Sequence, residues 1–245
     1  MRYLIGIDDT DNPDSRGTGF RARQLGARLG ETGLAATRGI TRHQLLVHPD
    51  IPYTSHNSSA CLDVELGEAG FGSLVDFCRD YLAAESAPGS DAGLCVAAFD
   101  EVAEALVEFG RSAQQVVRTR EQATDLAARH SVHLEGVTGD HMGVIGALSA
   151  VGLRRSGHDG RFIWLKGVRE LSGTASVTFL LGETGIEAVE TVDGSPIPKE
   201  AAIRVDPWPR PVLLNGKAVL LAQKKSDEDA GYEWELLSKE AVRRY

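Results

Sequence analysis

Apolar residues run through Leu4-Ile5-Gly6-Ile7 and stop abruptly at Asp8, the pattern of a strand buried on both faces that ends in acid. The spacing predicts a strand over Arg2–Asp8. A helix over Gly19–Gly30 follows, with Phe20, Leu25 and Leu29 at near-helical intervals and Arg21, Arg23 and Arg28 free to face outward. Leu34–Val47 reads as one or two strands with a bulge at Gly39, and Ala60–Leu66 alternates as a half-buried strand. Phe71–Glu85 carries a strong amphipathic helical pattern, Leu94–Phe99 a buried strand, and Glu101–Gly110 and Arg120–His130 two further helices. Gly139-Asp140-His141-Met142-Gly143 opens a helix of small residues over Val144–Leu153. Strands and helices alternate to this point, which favours an α/β class.

The pattern changes after Arg161. Phe162–Lys166, Ser176–Leu181, Ala202–Val205 and Pro211–Ala222 read as strands separated by Gly and Pro turns, with Asn215-Gly216 a hairpin signal between apolar runs. The expected organisation is a core over residues 1–160, a smaller strand-rich region over 161–223, and a charged linker with a tail over 224–245. A short helix docked by Trp234 and Leu237 is expected near the end.

With 245 residues and 42% hydrophobic content, the chain can bury a sizeable core. Three cysteines, Cys61, Cys78 and Cys95, form no CxxC pair and sit in apolar runs, so they read as small core residues of a reducing, cytoplasmic protein. No run is long enough to span a bilayer, and no leader precedes the first strand. A net charge of −9 argues against a broad nucleic-acid footprint, which needs clustered Lys and Arg.

The chemistry concentrates where the first strand ends. Asp8, Asp9 and Asp11 are three acids in four residues, and hard carboxylate oxygens suit Mg²⁺, which takes one or two carboxylates and completes its shell with water and substrate phosphate. The alternative is a polar turn in which Asp11 or Asn12 caps a helix. Arg16-Gly17-Thr18-Gly19 then opens the first helix, where bare amides can hold phosphate; two glycines there also simply permit positive φ. No Walker signature occurs. The loop Tyr53-Thr54-Ser55-His56-Asn57-Ser58-Ser59 offers Asn57, Ser58 and Ser59 to phosphate or ribose, or is a solvated hairpin loop. His141, Gly143 and Gly146 mark a second helix start that suits an anion, tight helix packing, or both. His130, His133, His141 and His158 match no zinc spacing.

Four blocks taken together resemble a family. Gly6-Ile7-Asp8-Asp9-Thr10-Asp11, Arg16-Gly17, Ile51-Pro52-Tyr53 and Gly143-Val144-Ile145-Gly146-Ala147-Leu148-Ser149-Ala150-Val151-Gly152 keep the order found in the N-terminal half of the archaeal tRNA-Ile agmatinylcytidine synthetases, and they span about residues 3–152. The resemblance implies a kinase-like mixed-sheet core that binds ATP without a Walker loop, joined to a ferredoxin-like region, with Asp8, Asp9 and Asp11 near Mg²⁺ and the phosphates. This chain departs from the family in three ways. Phe20 stands where the family's phosphorylatable Thr would fall, with Thr18 nearby but not equivalent; a Lys/Arg/Gly-rich loop is replaced by Tyr53–Ser58; and no counterpart of the OB-fold and zinc-ribbon modules is present. The expected function is therefore Mg²⁺-dependent ATP binding with phosphoryl transfer or hydrolysis on a small acceptor, in a phosphotransferase or ligase-like enzyme. Asp8, Asp9, Asp11 and Thr18 are its candidate catalytic residues, and Arg16, Gly17, Gly19 and the loop and helix residues named above its candidate nucleotide contacts. Two rivals stand beside it. A tRNA modifier with a borrowed RNA-binding partner predicts a basic groove of Arg38, Arg42, Arg154 and Arg155; a non-catalytic nucleotide sensor predicts binding without turnover.

Overall fold

A computed structural model describes residues 1–54, 56–206, 208–225, 232–243 and 245. The chain divides into two compact units, Met1–Ser156 and Gly157–Tyr245. Its class is mixed α/β.

The first unit runs β1 (Arg2–Asp8), α1 (Thr18–Glu31), β2 (Ala35–Gln44), β3 (Ser58–Leu66), α2 (Phe71–Glu85), β4 (Gly93–Ala98), α3 (Glu104–Ala113), α4 (Arg120–Arg129), β5 (His133–Gly136) and α5 (Val144–Ser156). Its strands lie in the order β5-β4-β1-β3-β2, and every neighbouring pair is antiparallel. The acid-tipped strand β1 is thus central, flanked by β3 and β4, as its uninterrupted apolar run requires. The register between β2 and β3 slips between Thr37 and Gly39, where the sequence placed a bulge.

Period-two alternation sorts the two faces. Leu4, Cys61, Cys95 and Ala97 join one hydrophobic cluster with Leu106 and Phe109 of α3 and Ala147, Leu148 and Val151 of α5. On the opposite face, Gly26 of α1 lies against Ile40 and Leu62. All three cysteines are buried and free, and burial alone pushes the Cys78 thiol up to about 12, so none is a ready nucleophile.

The second unit runs β6 (Arg161–Trp164), β7 (Thr174–Ser176), α6 (Val177–Glu183), β8 (Ala188–Glu190), β9 (Ala202–Arg204), β10 (Val212–Leu214), β11 (Lys217–Lys224), β12 (Trp234–Leu236) and α7 (Lys239–Val242). Strand β11 organises it, pairing with β10 and β12 antiparallel and with β8 parallel. The β10–β11 hairpin turns at Asn215 and Gly216, both at positive φ (50° and 74°), as the Asn-Gly signal specifies.

Two expectations are corrected here. Ser176–Leu181 is not a strand: Ser176 ends β7, and its Oγ accepts the Phe179 amide hydrogen (3.1 Å), capping α6. The terminal segment is not one docked helix, because Trp234–Leu236 pairs with Ala222–Lys224 before a single helical turn, α7. Strand β5, absent from the sequence reading, adds an edge to β4. Most of the charged stretch expected over Lys224–Asp229 lies outside the described residues.

Candidate functional site

At the end of β1 the backbone turns. Asp8 is the last strand residue, and Asp9 adopts φ 51°, a left-handed conformation that Asp tolerates better than most residues. The reversal keeps Asp8 on the α5 face of the sheet and lets Asp9 turn away from its strand position. Helix α5 then closes down on that face through glycines. A Cβ at Gly6 would overlap the Ala147 carbonyl, and one at Gly146 would overlap the Asp8 carboxyl group. The helix therefore starts with its backbone in contact with an acid, where its partial positive charge is greatest.

These acids form the floor of a cavity of about 140 Å³. Asp8, Asp9, Asp11 and Thr18 lie at its base with Gly143 and Gly146 of α5. One wall is formed by residues 50–54 and 56–58, and the other by Ala113 at the end of α3 with Val116, Val117 and Arg118 of the α3–α4 connection. Val116 and Val117 are 48% and 42% exposed, so two valines stand in water unless something covers them.

The floor is electrostatically unbalanced. Burial, then the neighbouring Asp9 and Asp11 charges, raise the Asp8 pKa to about 7. Burial, Asp91 and Asp11 raise that of Asp9 to about 6. No Lys, Arg or His among the described residues forms an ion pair with either. Asp11 is engaged differently. Its Oδ1 accepts from the Thr18 amide (3.1 Å) and Thr18 Oγ1 (2.9 Å), and its Oδ2 accepts from Thr54 Oγ1 (2.7 Å). Asp11 thus caps α1 from seven residues upstream and ties down the polar loop, the capping alternative raised by the sequence. At the α1 start, where Gly17 and Gly19 were expected to offer amides to phosphate, the Thr18 amide between them is taken by this carboxylate. The Thr18 hydroxyl proton is likewise spent on Asp11.

The expected contacts divide. Asp8, Asp9, Asp11, Thr18, Asn57, Ser58, Gly143 and Gly146 line the cavity. Arg16, Gly17, Gly19, Ser59 and His141 do not. Arg16 stacks on the Phe20 ring (4.6 Å). Ser59 is fully buried. His141 has φ 66° and sets its ring against Gly136 of β5. Asn57 anchors the loop, its Nδ2 donating to the Leu46 carbonyl (2.6 Å). The expected basic groove does not form from the four named arginines: Arg154 pairs with buried Asp63 (2.7 Å), Arg38 lies 3.8 Å from the same carboxylate, and Arg155 donates to the Phe99 carbonyl. Of the four, Arg42 alone reaches the site, through Ser58 (2.8 Å).

Sequence reasoning missed the Val116–Arg118 wall, although two valines in an otherwise polar helix connection were a signal. It also gave no role to Asp91, whose Oδ1 accepts from the Asp140 amide (2.7 Å) and whose carbonyl accepts from the Gly143 amide (2.9 Å), holding the α5 entrance beside Asp9.

Among the described residues no group of three His, Cys, Asp or Glu side chains gathers as a metal cage. Asp8 and Asp9 nevertheless fit the two-carboxylate requirement of Mg²⁺, because both are hard oxygen donors left without a counter-ion. No helix among the described residues is long and apolar enough to cross a membrane.

Solved structures resemble this chain. The crystal structure of TiaS in complex with an isoleucine tRNA and ATP matches with a TM-score of 0.55 and 28% sequence identity, over 62% of this chain and 36% of that one. That of a tRNA fluorescent labeling enzyme matches with the same figures. A complex of TiaS with the tRNA, AMPCPP and agmatine matches at 0.54 and 27%, over 62% and 36%. TiaS is a tRNA agmatidine synthetase. This chain thus spans about a third of the length of the proteins it resembles, and the family resemblance read from the sequence is met in three dimensions. No family model and no curated protein matches the chain.

Proposed function

We propose that the chain is an ATP-using enzyme of RNA modification whose first unit binds the nucleotide and carries out phosphoryl transfer. The observation that carries this reading is the pair Asp8 and Asp9: two carboxylates at the floor of a cavity, beneath a helix start, with no cation of their own. Their place in a fold that resembles ATP-bound TiaS supports it.

In this reading Asp8 and Asp9 hold Mg²⁺, which when bound supplies neutralisation of phosphate charge. The residues do the rest by positioning, the main contribution in phosphoryl transfer. The valines and Ile51 shield the base from water, Asn57 and Ser58 meet polar groups along the loop wall, and Arg118 is the cation at the cavity rim. Asp11 and Thr18 keep α1 and the loop in place rather than reacting.

The acceptor reading changes with the comparisons. Net charge argued for a small acceptor over tRNA, whereas two of the similar structures hold tRNA beside ATP or AMPCPP. RNA is therefore the acceptor proposed here, its grip supplied by a partner polypeptide because Arg154 is held by buried Asp63 and Arg155 by the Phe99 carbonyl.

The test is turnover of γ-labelled ATP by the full chain with Mg²⁺, with and without total tRNA. Stimulation by tRNA, lost in Asp8→Asn and Asp9→Asn, is expected. Turnover surviving both substitutions overturns the site; nucleotide binding without turnover under any condition moves the protein to the sensor class.

A further inference from the structure

Beneath α5 the sheet carries a polar row of which the nucleotide reading uses only Asp8. Gly6 pairs with Cys61 and faces α5, so the alternate β3 residues Ser59 and Asp63 face α5 as well. His43 of β2 stands opposite Ser59 in register. The β1–β3 register ends at Ile7 and Ala60, and one step further brings Asp8 beside Ser59. Residues so opposed hold their Cβ atoms about 4.5–5.5 Å apart. The row therefore runs Asp8, Ser59, His43 across three strands, and His43 Nε2 lies 2.8 Å from Thr41 Oγ1.

Ser59 is the anomaly in this row. It is 0% exposed, and its Oγ has no hydrogen-bond partner among the described residues. An unpaired buried hydroxyl works against folding, and alanine at this position would remove that penalty. We propose that Ser59 is a positioning residue for Asp8, its hydroxyl donating to the carboxylate oxygen turned away from a bound divalent cation. The fold tolerates the hydroxyl unpaired in the metal-free protein, and the pairing is completed on metal binding. Groups that orient a metal-binding carboxylate from behind are worth about 10–100-fold in metal affinity. The inference rests on Asp8 being a metal ligand, as proposed above.

The two roles of the hydroxyl have opposite signs, which makes the test sharp. Mn²⁺ binding in the presence of AMPCPP and metal-free thermal unfolding are measured on the full chain for wild type, Ser59→Ala, Ser59→Thr and Asp8→Asn. Ser59→Ala is expected to weaken Mn²⁺ binding about 10–100-fold yet raise the metal-free Tm by about 2–4 °C. Ser59→Thr, which keeps the hydroxyl, is expected to bind as wild type does. A lower metal-free Tm in Ser59→Ala overturns the proposal, since the hydroxyl would then be structural. So does unchanged Mn²⁺ affinity in Ser59→Ala when Asp8→Asn loses it. Absence of Mn²⁺ binding in wild type, or its persistence in Asp8→Asn, overturns the site reading and this proposal together.

Discussion

Two carboxylates lie on the same face of the first unit's sheet, under the same helix, Asp63 buried and Asp8 half-buried, and the chain treats them in opposite ways. Asp63, 1% exposed, receives Arg2 through two hydrogen bonds (2.8 and 2.7 Å) and Arg154 through a third (2.7 Å). Asp8 receives no cation and faces other acids, and its pKa rises to about 7. Ionising a buried group is tolerable only when opposite charge is close at hand. A carboxylate furnished with its own arginines belongs to the architecture; one denied them makes a demand on something from outside the chain. Acid residues alone do not separate the two cases, because the decisive arginines come from β1 and, 91 positions away along the chain, α5.

The sharpest way to break this contrast is to remove the architectural acid. Asp63→Ala takes the 2.7 Å carboxylate contact from Arg154, only 6% exposed, and is expected to cost about 3–5 kcal/mol in urea unfolding, with partial recovery on adding Arg154→Leu. A cost under about 1 kcal/mol would dissolve the distinction. The functional acid should behave in the opposite sense. Asp8→Asn is expected to stabilise the metal-free protein at pH 8 by about 1–3 kcal/mol, read by the same unfolding curves, while ATP turnover falls about 10²–10³-fold.

A gentler probe is pH. The folded pKa values of Asp8 and Asp9, about 7 and about 6, lie above the ordinary carboxylate value of 3.8, so the folded state binds more protons between pH 4 and 7. The contribution of these two groups to stability is full below pH 4 and is lost as pH rises through 6 and 7. Metal-free melts between pH 5 and 8 should show that decline, and saturating Mg²⁺ should flatten it. Asp8→Asn without metal should flatten it too, and an unchanged slope there would remove Asp8 as its source. The smallest effect concerns the wall: Val116→Ala is expected to raise the KM for ATP about threefold with kcat unchanged, measured by steady-state kinetics, because it trims apolar cover without touching the floor.

Much of the first unit was legible because its patterns are local. The apolar run into Asp8, the Phe71–Glu85 periodicity and the Gly143 helix start each state their element within the element's own residues. The failures came where a contact outside the hydrophobic pattern decides. Ser176–Leu181 is apolar enough for either state, and one hydroxyl cap selects helix. Trp234–Leu236 becomes a strand because β11 offers it an edge. In the site, the acids and the glycine block were readable as residue types. That Asp11 would reach forward seven residues to cap α1 depends on the turn between them, and that Val116 and Val117 would line a cavity with the acids depends on packing that brings together residues about a hundred positions apart.

The glycine contacts of α5 have a bearing on how this molecule can change. Because the helix main chain rests on Gly6 and its Gly146 leaves room for the Asp8 carboxyl group, with no side chain in between to trim or enlarge, the spacing at the base cannot be tuned in small steps. A saturation library should therefore accept almost nothing at Gly6 and Gly146 while admitting many replacements at Val116, Val117 and Ile51. New specificities would arise by exchanging the surrounding loops over an unaltered base.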